Sequence, residues 1–282
     1  MSKLTTTADA IARLVRDGDR VSAACGLEAR IPFSAGHEIV RQGKRNLTLV
    51  GPISDMLYDQ LIGAGCVRAL EVAWVGNVGA GLGHNLRRAA ESRPPRVAIT
   101  DYTNLTYAIG LRAAAEGVPF GVTRSLFGTD IAAQSQAFRE IDDPFGEGPV
   151  FAVRAVKIDV AIVVAQRADS NGNAHLWGNL GTTLESVRAA ERVIVLAEEL
   201  IEASAIREQP NRTLVPGLLV DAVVHEPGAA HPSPVEGYSE RDHAAFEAYH
   251  RATRTPEGFA AWRREWIDAL PDRAAYMEKL RR

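Results

Sequence analysis

Four glycines crowd the eight residues Gly76-Asn77-Val78-Gly79-Ala80-Gly81-Leu82-Gly83, after an apolar run over 69–75 and before a helical pattern over 86–91. Glycines that follow a strand let the backbone approach a bound group, and the first turn of a helix favours an anion. A dinucleotide site would need GxGxxG. This loop spells Gly79-x-Gly81-x-Gly83, and no acidic residue is placed at the end of a following strand for a ribose. The spacing therefore speaks against NAD. Two readings stay open here: a sharp turn that needs small residues, and a loop shaped to pass close to a ligand.

A second candidate is Arg124-Ser125-Leu126-Phe127-Gly128-Thr129-Asp130. An arginine, a glycine backbone and hydroxyls suit carboxylate or phosphate recognition. Spacing alone favours an Arg124–Asp130 pair that closes the loop. Asp169-Ser170-Asn171-Gly172-Asn173 reads as a structural turn. His225 and His231 flank a Pro/Gly segment without a GxSxG nucleophile motif, so no triad is assembled from them. Cys25 stands at a strand end beside Gly26 with no base in view, which predicts a small buried side chain.

The elements that must carry these loops alternate. Apolar runs predict strands over 21–24, 47–50, 69–75, 96–99, 158–165, 193–197 and 218–224. Helical patterns lie between them: after a Thr7 cap, around His37 to Val40, and over 55–61, 86–91, 105–116 and 185–191, with Leu105, Ile109 and Leu111 inward on the helix over 105–116. The alternation predicts an α/β fold, an open, mostly parallel sheet with helices on both faces. From Ser239 the pattern is helical, with Pro256 and Pro271 placed to start helices and an apolar stripe of Phe246, Tyr249, Phe259, Trp262 and Trp266. This reads as one domain over 1–282 in which 239–282 is a helical C-terminal cap.

Bulk properties exclude several classes. The 282 residues are 46% hydrophobic and 24% charged, with a net charge of -3. Nothing there draws nucleic acid or an anionic membrane. Two cysteines are no disulfide framework, and no Cys/His spacing suits zinc. The N-terminus lacks a signal-like apolar run, and no stretch approaches a membrane span. A reducing cytoplasm is the expected compartment.

Several blocks then point to a family. They are Asp19-Arg20-Val21 through Pro32-Phe33, and Glu38-Ile39-Val40-Arg41-Gln42-Gly43 followed by Asn46-Leu47-Thr48-Leu49. Further along come Asp159-Val160-Ala161-Ile162 with Ala165-Gln166, Ala168-Asp169, Gly172-Asn173 and Trp177-Gly178, then Val220-Asp221-Ala222-Val223-Val224 with Gly228-Ala229-Ala230-His231-Pro232, and the region of Trp266. In this order they resemble the A subunits of family I CoA-transferases, of the glutaconate CoA-transferase type. The resemblance implies two homologous subunits with the active site at their interface. In such transferases a glutamate attacks the acyl-CoA thioester, giving an anhydride and then a glutamyl-CoA thioester. CoA is a substrate and no bound cofactor is implied. The glutamate lies in the B subunit, in a Ser-Glu-Asn-Gly-like motif, and this chain has no Glu-Asn-Gly. The partners implied are a homologous B subunit, an acyl-CoA and a carboxylic acid, in a hetero-oligomer.

The family's Gly-Gly-Phe-like loop corresponds here to Ala24-Cys25-Gly26 followed by Leu27 and Glu28, while Arg30 matches a basic position two residues before Pro32. Gly110-Leu111-Arg112-Ala113-Ala114-Ala115 through Pro119-Phe120, with Arg124 and Gly128-Thr129, is also similar to the alpha subunit of a hydrolase that opens steroid rings. That family's catalytic glutamate corresponds to Asn104, with Asp101 nearby, and an amide cannot act as a base. The resemblance thus implies substrate or CoA contacts at Gly26, Arg30, Asn77, Gly79, Arg124, Gly128 and Thr129, with Asp101 and Asn104 as catalytic candidates. Arg124 would hold a carboxylate or phosphate, and amides around Gly79 and Gly128 would face a thioester oxyanion. The alternatives are a CoA-thioester or C–C bond hydrolase, and a non-catalytic structural subunit, to which the altered first loop gives weight.

Overall fold

The computed structural model describes residues 2–23 and 26–282. Ala24 and Cys25, and with them the expected end of the first strand and the reading of the Cys25 thiol, lie outside the described residues. The first half of the chain runs α1 (Thr7–Leu14), β1 (Arg20–Ser22), α2 (Phe33–Arg41), β2 (Leu47–Ile53), α3 (Met56–Gly63), β3 (Val67–Trp74), β4 (Gly76–Asn77), β5 (Gly81–Leu82), α4 (His84–Glu91), β6 (Ala98–Asp101) and α5 (Asn104–Ala115). It continues through β7 (Phe120–Thr123), α6 (Asp130–Gln134), β8 (Phe138–Asp142), β9 (Pro149–Arg154), β10 (Ile158–Ala168), β11 (Ala174–His175), α7 (Thr183–Ala189) and β12 (Ala190–Leu200). The last elements are α8 (Ala203–Glu208), β13 (Thr213–Val215), β14 (Ala222–His225), α9 (His243–Ala252), α10 (Pro256–Arg263) and α11 (Arg273–Leu280).

The strands pair in parallel in the order β14-β12-β10-β1-β2-β3-β6. The chain winds outward from β1 in one direction and from β10 in the other, so strand order reverses between them. In open α/β sheets that switch point, at the carboxyl ends of the strands, is where ligands bind. β11 adds antiparallel to the far end of β10, and β13 pairs with β11. Side chains of β10 alternate between two cores, as strand geometry requires. Val160, Ile162 and Val164 meet α1, α2, α3 and the C-terminal helices. Ala161, Val163 and Ala165 meet α5, α7 and a small antiparallel sheet in the order β7-β9-β8.

That small sheet was not expected from the sequence. Its strands are half-exposed, and β8 spells Phe138-Arg139-Glu140-Ile141-Asp142, so they lack a buried strand's apolar run. Two other expectations need correction. Thr6, with extended backbone, caps α1 by accepting from the Asp9 amide at 3.1 Å, whereas the Thr7 hydroxyl donates to Glu226 at 2.6 Å. Leu105 is 54% exposed and Tyr107 is buried in its stead, while Leu111 is buried as expected and Ile109 packs half-buried against the same core.

The C-terminal segment is helical as expected. Pro256 is the first residue of α10, and Pro271 precedes Asp272, the cap of α11. Phe246, Tyr249 and Phe259 are buried against the sheet's helices. Among the described residues no helix is long and apolar enough to cross a membrane.

His37, 3% exposed on α2, is packed edge-on by Phe33 and Trp262 and bonds Gln60 through Nε2 at 3.1 Å. Burial, then the charges of Arg273 and Arg41, holds its pKa well below the usual imidazole value. The unfolded chain therefore takes up a proton that the folded chain refuses, so stability is full above about pH 6.5 and falls below it. Buried Glu198 and Asp55, whose pKa values are raised chiefly by burial, act in the opposite sense nearer the carboxylate range. We expect about 1 kcal/mol to be lost from this histidine between roughly pH 6.5 and about 5.5. Urea midpoints across that range should show a flatter pH profile for His37→Phe than for the natural chain. Parallel profiles would remove His37 from the acid response.

Candidate functional site

Three neighbouring parallel strands deliver loops to the carboxyl edge of the sheet. The end of β1 is fixed to β2 by Tyr58, whose hydroxyl donates to the Val50 carbonyl at 2.6 Å and accepts from the Ala23 amide at 3.1 Å. Gly26 is buried in the following turn, where an added methyl carbon would stand 2.2 Å from the Ala29 carbonyl oxygen. Arg30, 4% exposed, donates its amide to Pro234 O at 2.9 Å and its Nη2 to the Asn179 carbonyl. Its guanidinium thus pins the first loop to the segment after β11.

The second loop is the short antiparallel hairpin of β4 and β5, in which Gly76 opposes Leu82 and Asn77 opposes Gly81. Asn77, 1% exposed, donates Nδ2 to the Phe246 carbonyl at 2.7 Å, and its Oδ1 is buried with no partner among the described residues. The Val78 amide donates to Asp55 Oδ1 at 3.1 Å. Asp55 lies between β2 and α3, is 0% exposed, and binds Arg241 Nη2 through Oδ2 at 2.6 Å. Burial raises the Asp55 pKa, and Arg241 opposes that shift. The charge of Glu28, on the first loop, adds slightly to the rise.

The glycines of this hairpin answer to different causes. Gly83 is required by Asp59, because a methyl carbon at Gly83 would stand 2.4 Å from Asp59 Oδ1. That carboxylate caps α4 through the Leu86 amide at 2.8 Å and also accepts from Tyr249 Oη at 2.6 Å and Asn85 Nδ2 at 3.0 Å. Gly79 is exposed, and a methyl carbon there would meet nothing nearer than Asn77 Oδ1 at 3.7 Å. Of the two readings of this loop, packing explains Gly83 and leaves Gly79 facing outward.

At the next strand end, Asp101 is exposed and Asn104 is the exposed first residue of α5, which is capped by Thr103. Arg124 is on another excursion of the chain, directly after β7. It pairs with Asp143 and Glu147, each at 3.3 Å, and not with Asp130 as spacing suggested. The turn between β8 and β9 brings 143–147 back over it, while Asp130 opens α6. Gly128 and Thr129 are exposed in the same excursion, where the Thr129 hydroxyl donates to Leu126 O at 2.8 Å. The Asp169 turn is structural as expected, with Asp169 Oδ1 accepting from the amides of Asn171 and Asn173 at 2.9 and 3.0 Å. His231 is likewise structural, held between Asp242 at 3.0 Å and Tyr276 at 3.1 Å.

This architecture and its loops have counterparts among known proteins. The coenzyme A transferase family model matches residues 4–226. The chain belongs to the coenzyme A transferase family. It is 39% identical over 281 residues to the A subunit of 3-oxoadipate CoA-transferase from Pseudomonas knackmussii, covering 99% of each chain. It is 33% identical to the A subunit of glutaconate CoA-transferase from Acidaminococcus fermentans, covering 99% of this chain and 92% of that one. The crystal structure of that transferase superposes with a TM-score of 0.93 over 99% of this chain and 93% of the matched chain. A cholesterol ring-cleaving hydrolase subunit of Mycobacterium tuberculosis is 27% identical over 160 residues, 53% of this chain and 54% of its own.

For a coenzyme A transferase chain, sequence reading missed two residues at this edge, Asp55 and Arg241. Asp55 had a faint signal, an acidic residue directly between a strand and a helix. Arg241 had none, because it arrives from the C-terminal segment, 186 positions along the chain.

Proposed function

We propose that this chain is the A subunit of a heteromeric CoA-transferase that moves CoA from an acyl-CoA to a carboxylic acid in the cytoplasm. The observation that carries this is the similarity to a CoA-transferase A subunit over 99% of both chains. The chain works as one domain over 1–282, and its B partner supplies the nucleophilic glutamate, whose Glu-Asn-Gly motif this sequence lacks. That carboxylate attacks the thioester carbonyl, the C–S bond breaks, and CoA leaves as thiolate. The thiolate then attacks the glutamyl carbonyl of the anhydride and releases the first acid, and a second acid reverses both steps. This chain forms one wall of that site. Its contribution is the exposed amide at Gly79, a donor for the oxyanion that develops on the thioester carbonyl. Gly26 and Arg30 shape the adjoining loop, and Asn77 holds the hairpin to the C-terminal segment. Gly128 and Thr129 supply further polar contacts, and Arg124 takes a substrate carboxylate or phosphate in exchange for Asp143 and Glu147.

The test is to co-express the chain with its B subunit, add acyl-CoA, treat with borohydride and weigh both subunits intact. Reduction of a glutamyl-CoA thioester should leave a lasting mass change on the B subunit. CoA release in water with neither subunit changed would favour hydrolysis. The exposed Asp101 carboxylate, beside Asn104 at the position of the hydrolases' glutamate, is the observation that keeps that second reading. Isotopic oxygen from water appearing in the acid product, without an acceptor acid, would establish it. Acyl-CoA binding by the complex would set aside a purely structural role.

A further inference from the structure

Two hydrogen bonds tie the hairpin that carries Gly79 to other segments, one directly from beyond residue 239 and one through Asp55, which Arg241 holds in turn. Arg241 binds Asp55 at 2.6 Å and lies 3.7 Å over the ring of Phe246. The Phe246 carbonyl accepts from Asn77 at 2.7 Å. The second tie is Asp55 itself, which accepts from the Val78 amide at 3.1 Å. One carboxylate therefore joins the end of β2, the hairpin after β3 and the start of α9. The family model ends at residue 226, so Arg241 and Phe246 belong to a segment outside the match.

Asp55 is also strained. Its φ of +47° and ψ of -144° lie where residues with side chains are rare. Such a conformation persists only where the surroundings over-determine it, and it collects at functional sites. Stability alone gives little reason for this arrangement, since a buried ion pair is often matched by well-packed apolar residues. Two more polar atoms of the cluster, Asn77 Oδ1 and Arg241 Nη1, are buried without a partner among the described residues. The clamp thus keeps one acceptor and one donor beyond what the described residues satisfy.

We propose that Asp55 and Arg241 are positioning residues for CoA transfer, and that the C-terminal helices build the site through Arg241 rather than only covering the sheet. The pair fixes the hairpin so that Gly79 presents its amide in one orientation. This role rests on the chain being a transferase subunit.

The experiment uses the A–B complex with Asp55→Asn, Arg241→Met and Arg241→Lys, and with Phe259→Leu as a control in the same cap away from the clamp. Asp55→Asn and Arg241→Met should lower kcat by about 100-fold, the scale of a small misplacement at a reacting centre, with KM for acyl-CoA changed far less. Arg241→Lys, which keeps the charge, should recover part of the loss. Deuterium exchange of the amides over 76–83 should quicken in the first two variants and not in Phe259→Leu. Unchanged exchange, or a kcat loss no larger than the control's at equal thermal stability, would overturn the proposal. If the natural complex transfers no CoA, the transferase reading fails, and the exchange measurement still decides whether the clamp orders the hairpin.

Discussion

Asp59→Ala should lower the stability of the chain by about 4 kcal/mol, well beyond the usual cost of truncating a polar side chain. The carboxylate is 0% exposed and accepts from three donors on two other elements: the Leu86 amide and Asn85 Nδ2 of α4, and the Tyr249 hydroxyl of α9. Alanine removes the acceptor and leaves those donors inside the protein, where each orphan costs about 1–3 kcal/mol. Tyr249 cannot escape by ionising. Burial, the largest cause of its raised phenol pKa, persists when the Asp59 charge is removed. Asn85 offers only partial relief, since its Nδ2 already donates to the Tyr249 hydroxyl at 3.2 Å. Tyr249→Phe removes one donor and its partner interaction together, and should cost only about 1 kcal/mol. Urea midpoints for the two variants, at matched slopes, make the comparison. Equal losses would mean that Asp59 is not the cap of α4 that its geometry indicates.

The same residue shows what the sequence could and could not reveal. The parallel sheet was legible because strands such as β10 and β12 are buried on both faces and read as unbroken apolar runs. The β7-β9-β8 excursion was not, because its strands are half in water and spell mixed polar patterns. The glycine-rich loop was found but not parsed. Gly83 faces the carboxylate of Asp59, which comes from the helix before β3, and local spacing carries no trace of it. The expected Arg124–Asp130 pair failed for the same reason, since the partners of Arg124 come from a turn that only the missed hairpin creates. Thr6 and Thr7 are equally good caps by residue type, and only backbone conformation chooses between them. The resemblance to CoA-transferases pointed to loops at the carboxyl edge of the sheet. The residues that fix its geometry, Asp55 and Arg241, are joined across 186 positions and were beyond any local pattern.

Two glycine substitutions separate packing from function at that edge. In Gly26→Ala the new methyl carbon would fall 2.2 Å from the Ala29 carbonyl oxygen, which is backbone and has no flexible end to move. The turn must open, so both stability and turnover should fall, by about 1–3 kcal/mol and about 100-fold respectively. In Gly79→Ala the methyl points into open space, with only Asn77 Oδ1 within van der Waals reach at 3.7 Å. Stability should stay within about 0.5 kcal/mol. Turnover should nevertheless drop by about 10-fold or more, because the methyl stands beside the amide that is to receive the oxyanion, and donors of that kind carry large effects. The loss should appear in kcat more than in KM, since a developing oxyanion is met only in the transition state. The discriminating result is Gly79→Ala, a variant as stable as the natural chain but slow. If it is both stable and fast, the hairpin's outer face meets no substrate, and the oxyanion donor must come from the first loop or from the B subunit.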